Sequence, residues 1–143
     1  VNDAATSRVW AAMRGLVLGN ERRGEVCDAL GMSFFRVKAL RRIAAAPVKL
    51  GDLAADLMTD RPYTTLVVDD LAKRGLVERT PHPTDRRSKI VSVTPSGASA
   101  AAEAERILGT PPPALRDLDE AELAALDGIM ASLVRTKPVL RSG

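Results

Sequence analysis

Two runs of residues carry most of the chemistry open to this chain. The first is Pro83-Thr84-Asp85-Arg86-Arg87-Ser88-Lys89, which gathers three cations beside the Asp85 carboxylate. The second is Arg61-Pro62-Tyr63-Thr64-Thr65, a guanidinium, a phenol and two hydroxyls in succession. Guanidinium groups grip phosphate or a guanine edge with paired hydrogen bonds, and threonine can bond a base edge or touch a thymine methyl. Asp85 can hold one neighbouring arginine extended by a charge-assisted hydrogen bond, leaving the other cations to neutralise phosphate. Bond-making chemistry has little to work with. The chain has a single histidine, His82, and a single cysteine, Cys27, with no phosphate-cradling glycine loop and no cluster of metal-ligand spacing. No catalytic residue, cofactor or metal site is therefore expected.

Such groups act only if elements hold them at a surface. Ser33 reads as the N-cap of a helix in which Phe34, Val37, Leu40 and Ile43 recur at helical spacing until Pro47. Leu53, Ala54 and Leu57 fit one short helix that ends by Met58, and Pro62 stands in the first turn of the next, which carries Leu66, Val67, Leu71 and Leu76. Segments 76–80 and 89–94 alternate apolar with polar residues around the charged run, the pattern of a hairpin with a long tip. Thr94-Pro95 starts another helix, and Gly109 with the Pro111-Pro112-Pro113 run ends it.

A helix pair followed by a hairpin is the order of a winged helix-turn-helix, in which the second helix enters a DNA major groove. Arg61, Pro62, Tyr63, Thr64 and Thr65 then sit at its reading end, and Arg86, Arg87 and Lys89 on a wing beside the backbone or in a narrow minor groove. The flanking segments read as helices too. Residues 7–30 form one glycine-weakened helix, and a last helix begins near Asp119, where Glu122 completes a capping box. Leu123, Leu126, Ile129, Met130, Leu133 and Val134 make one apolar stripe, to which Trp10 and Met13 add. A stripe at the chain end needs a partner surface, so Trp10, Met13, Leu123, Leu126, Met130 and Leu133 are the expected homodimer contacts.

Composition sets the outer limits. At 143 residues and 45% hydrophobic the chain suits one domain with its own core. The net charge of +3 makes local clustering, not the total, the argument for a nucleic-acid partner. A lone cysteine points to a reducing compartment, and no apolar run approaches a membrane span, so a cytoplasmic protein without membrane attachment is expected. The chain opens on Val1, as a trimmed or processed product would.

From Ser33 to Gly97 the chain resembles the MarR family of bacterial regulators. The likeness rests on Leu53-Ala54, on Leu71-Ala72-Lys73-Arg74-Gly75-Leu76-Val77-Glu78-Arg79, on Asp85-Arg86-Arg87 and on Val93-Thr94-Pro95-Ser96-Gly97. The resemblance implies a mainly α fold with a small β-hairpin wing: a lobe over 33–97, with residues 1–32 and 98–143 forming dimerisation helices of a single domain. It implies a homodimer on a pseudopalindromic operator in double-stranded DNA, usually repressing, often released by a small-molecule effector or an oxidant. Arg87 becomes the minor-groove arginine and Asp85 its orienting partner. The chain departs from the pattern at Met58, where glycine is usual, and at Leu66 and Asp70, where arginine or another polar DNA-facing residue is common. Leu66, Asp69 and Asp70 leave open a winged-helix module that binds protein without DNA. Arg22 and Arg23 near Cys27 leave open an oxidant sensor, against a packing role for that thiol.

Overall fold

The computed structural model describes residues 2–135. The chain divides into two compact units, one built from residues 21–110 and the other from the two ends of the chain. The larger unit runs α2 (Arg23–Leu30), α3 (Phe34–Ala45), β1 (Val48–Lys49), α4 (Leu50–Asp56), α5 (Arg61–Lys73), β2 (Val77–Pro81), β3 (Lys89–Val93) and α6 (Pro95–Leu108). The smaller unit holds α1 (Asp3–Gly19), α7 (Pro113–Arg116) and α8 (Glu120–Arg135).

At the centre of the larger unit lies α3, packed by α2, α5, α6 and β3. Its buried Val37, Leu40 and Ile43 meet Leu53 of α4, Val67, Val68 and Leu71 of α5, Val91 of β3 and Ile107 of α6. Full burial of such side chains is worth roughly 1.5–3 kcal/mol each, which is what holds the short helices α4 and α5 against this hub. The sheet has the order β1-β3-β2 and is antiparallel throughout, with Val77 opposite Val93 and Pro81 opposite Lys89 in the hairpin. Pairing of Val48 with Val91 and of Lys49 with Ile90 adds the two-residue β1 to the far edge of β3.

The helix ends explain the boundaries. Ser33, Asp60 and Thr94 each accept a first-turn backbone N–H, from Arg36, Tyr63 and Gly97 respectively. At the end of α5 the Leu76 N–H reaches the Leu71 carbonyl and the Gly75 N–H reaches that of Ala72, with Gly75 at φ +75°. The end of α4 repeats this pattern, Thr59 N–H to Ala54 and Met58 N–H to Ala55, but with methionine at the left-handed position, φ +53°. That is the backbone solution for a turn that lacks glycine. Gly97 answers a different demand: a Cβ there would lie 1.8 Å from the Leu76 carbonyl oxygen. Only glycine lets α6 start this close to the strand below.

Three expectations change. The helix expected over residues 7–30 is two helices, because Gly19 and Asn20 both weaken a helix, and Asn20 caps α1 before α2 starts anew at Arg23. The lobe expected over 33–97 is part of a larger unit: α2 and α6, expected among the dimerisation helices, pack on α3 inside it. The Pro111-Pro112-Pro113 run, expected only to end a helix, also starts one: its last residue opens the short α7. The capping box at the start of α8 is reciprocal, with Glu122 N–H donating to Asp119 at 2.8 Å and Asp119 N–H to Glu122 at 3.2 Å. Residues 136–143 of the expected dimerisation region lie outside the described residues.

Neither α1 nor α8 buries a single residue. Trp10 is 60% exposed, Leu123, Met130 and Leu133 are exposed, and Met13 and Leu126 are half-buried. No helix among the described residues is long and apolar enough to cross a membrane.

Candidate nucleic-acid interface

The first turn of α5 is set by Asp60, whose side chain accepts the Tyr63 N–H at 2.7 Å. Pro62 occupies the first turn, where its missing N–H leaves no unmet bond. The Tyr63 ring leans on Phe35 of α3, with centroids 5.0 Å apart and planes at 54°, and this contact holds the partly exposed phenol at the surface. Thr64 is a correction to the expected reading set. It is completely buried and its hydroxyl donates to the Asp60 carbonyl at 2.8 Å, so it seals the first turn and cannot reach a base. Thr65, one position on, is half-buried at the helix surface.

The wing tip is pinned by short-range bonds. His82 and Ser88 close the loop through a backbone bond of 3.0 Å, and His82 Nδ1 accepts the N–H groups of Thr84 and Asp85, each at 3.1 Å. Asp85 accepts the Arg87 N–H at 3.0 Å on one oxygen and the Ser88 hydroxyl at 2.9 Å on the other. These two donors, the Arg87 N–H first, hold the Asp85 carboxyl below its ordinary value. The expected orienting role of Asp85 is thereby changed in its means. It fixes the backbone of the tip and does not grip a guanidinium, and Arg86 and Arg87 stand exposed on the frame it makes.

Between the wing and α5 lies an open cleft of about 640 Å³. Arg61, Thr65, Arg87 and Lys89 line it, as expected residues, together with Lys49 and Arg79, which the sequence reading did not single out. Arg61 reaches it by lying across Gly51 of α4, where a Cβ would come within 2.6 Å of Nη2. Lys49 arrives because β1 pairs with β3 and turns Val48 inward and Lys49 outward. By sequence, residues 48–50 allow only a very short strand, and nothing local says that it pairs with β3. Asp52 is the carboxylate in the lining.

The acids of α5 do not face this cleft as free charges. Asp69 pairs with Arg79 of β2. Asp70 accepts from Arg36 of α3 and from Arg74, both at 2.8 Å, and Arg74 also reaches the Gly31 carbonyl at 3.0 Å. Bonds from Arg74 and then Arg36 hold the Asp70 carboxyl below its ordinary range despite partial burial. Asp70 therefore ties α5 to α3, and Asp69 ties it to the wing. Cys27 is half-buried against the core, as a packing residue would be. No group of three or more His, Cys, Asp or Glu side chains among the described residues could hold a metal ion.

Comparison with known proteins follows the same outline. Residues 36–89 match the model of the MarR family. An HTH-type transcriptional regulator of Mycobacterium tuberculosis and one of Mycobacterium leprae are each 43% identical over 56 residues, which is 39% of this chain and 39% of each relative. The aligned stretch thus spans about two fifths of those relatives. Among solved structures, RV1404 from Mycobacterium tuberculosis superposes with a TM-score of 0.72 at 21% identity, over 95% of this chain and 94% of that one. YusO from Bacillus subtilis gives 0.71 at 21% identity, over 96% and 99%. A MarR mutant from E. coli complexed with operator DNA gives 0.58 at 23% identity, over 88% and 93%. The family model falls on the helix-turn-helix and wing that build the cleft, and the chain shares the fold of these solved structures, a MarR protein among them, over most of its length.

Proposed function

We propose that this chain is a transcriptional regulator that binds double-stranded operator DNA as a homodimer, with α5 in the major groove and the wing along the flanking minor groove. The observation that carries the reading is the cleft, where Lys49, Arg61, Arg87 and Lys89 converge between the first turn of α5 and a wing held rigid by Asp85 and His82. A surface of this charge and width suits a phosphate backbone passing between the two reading elements. The operator complex of the E. coli relative supports the same placement by likeness of fold. The apolar rows on α1 and α8, which bury nothing within the chain, support a dimer that would set two α5 helices about 10 bp apart or a multiple of it. Repression is the mode such a dimer would exert over a promoter it overlaps.

The rival reading, a module that binds protein without DNA, drew on Leu66, Asp69 and Asp70; the two acids are paired with arginines of the same unit, and Leu66 is exposed. The test is Arg87→Ala, assayed by fluorescence anisotropy on duplexes with A·T-rich and G·C-rich flanks. Affinity should fall most on the A·T-rich duplex, where the narrow groove attracts a guanidinium, with the circular dichroism spectrum unchanged. Equal affinity of wild type and variant on both duplexes would overturn the wing assignment.

A further inference from the structure

Leu66 is 55% exposed in the middle of α5, while Val67, Val68 and Leu71 are fully buried on the opposite face. It shares the outer face with Pro62, Thr65 and Asp69, and with Arg36, Asp70 and Lys73 these line a shallow groove. Asp69 and Asp70 are held by arginines, so Arg36 is already paired, and Lys73 lies at the far end of the groove, two turns from Leu66. What α5 offers there is an apolar side chain with no partner in its own core. Resting on the DNA-binding reading above, we propose that Leu66 is a specificity-determining residue that selects thymine through its C5-methyl group. In the major groove the thymine methyl is the apolar feature of the base edges, whereas guanine, adenine and cytosine present acceptors and donors there. Against Leu66 those polar groups would lose their water without gaining a partner, so the same side chain favours thymine and penalises the alternatives. Hydrogen bonds from arginine or asparagine would read a purine at this place, and α5 reads a methyl instead.

The experiment starts from duplexes enriched for binding to the wild-type chain out of a random-sequence pool. In the strongest duplex each thymine is replaced in turn by deoxyuridine, which removes only the methyl, and affinities are measured for wild type, Leu66→Ala and Leu66→Met. Wild type should lose about fourfold at one or two adjacent positions in each half-site, the value of one buried methyl-sized group. Leu66→Ala should bind the thymine and uracil duplexes equally at those positions, and Leu66→Met, still apolar and long, should keep the discrimination. Uracil replacement without effect on wild type, or with the same effect on Leu66→Ala, overturns this inference while leaving DNA binding intact. A pool from which no duplex is enriched overturns both readings together.

Discussion

The cleft makes a quantitative demand on salt dependence. Lys49, Arg61, Arg86 and Lys89 form no ion pair among the described residues, whereas Arg79 is shared with Asp69 and Arg87 is assigned to the minor groove. If each of the unpaired cations meets a phosphate, a dimer displaces counterions from about eight phosphates, and log K should fall with log salt at a slope of about −7. Between 50 and 200 mM KCl that is a loss of roughly ten-thousandfold. The informative perturbation is Lys49→Ala, because Lys49 is an exposed residue whose place in the interface comes only from the pairing of β1 with β3. Removing one phosphate contact per protomer should make the slope shallower by about two and weaken binding on every duplex alike. Anisotropy titrations at four or five salt concentrations measure both quantities, with circular dichroism to verify the fold. A wild-type slope no steeper than about −2 would refute the backbone-dominated account. A steep wild-type slope left unaltered by Lys49→Ala would show that the phosphates pass elsewhere.

Three further perturbations test the scaffold. Met58→Gly should stabilise the protein by about 1 kcal/mol in urea denaturation at fixed protein concentration, since it relieves a left-handed residue. The side chain it removes is 93% exposed, so little packing is lost. Met58→Ala, which keeps the strain, should give no such gain. Gly97→Ala should destabilise by about 1–3 kcal/mol or more, because its Cβ has to push α6 away from the Leu76 carbonyl, and a neutral result would contradict that close approach. For Asp70 the carboxyl is lowered in the folded state, so its stabilising contribution is complete above the ordinary value of 3.8 and is lost as pH falls through the lowered one. Asp70→Asn should therefore lower the urea midpoint at neutral pH and flatten its decline between pH 4 and acid, and an unaltered acid limb would count against the Arg36 and Arg74 bonds.

How much of this was legible in the sequence depended on the range of the interactions. Caps at Ser33, Thr94 and Asp119 and the proline in the first turn of α5 are set by residues three or four apart, and the hairpin by alternation on either side of one polar tip, so each reads directly. Exposure of Arg86 and Arg87 followed from the polar tip between alternating strands. Thr64 misled because hydroxyl chemistry suits a base edge as well as a helix carbonyl. Its neighbours Val67, Val68 and Leu71 place it on the buried face, and helical spacing alone held that information. Asp70 misled for the opposite reason: Arg74 stands one turn away on the same helix, but its second partner, Arg36, lies on α3, and nothing local announces that pair. Lys49 and Arg79 entered the interface only once the three strands were placed side by side.

The acids on α5 show how such a helix can divide its tasks. An exposed ion pair is worth about 1 kcal/mol at most, so Asp69 and Asp70 matter less for stability than for direction. Each links α5 to a different neighbour, the wing through Arg79 and α3 through Arg36, and so limits rotation of the reading face relative to the cleft. The same pairs withdraw Arg36, Arg74 and Arg79 from phosphate. Among the described residues, cations without an ion pair are left at the rim, on β1, on the wing and at the start of α5, where on the proposed reading they would meet the backbone irrespective of sequence. The middle of α5 is left nearly neutral, and a neutral face with Leu66 at its centre would discriminate by fit, as proposed above, because little attraction to phosphate remains there to hold a mismatched base pair.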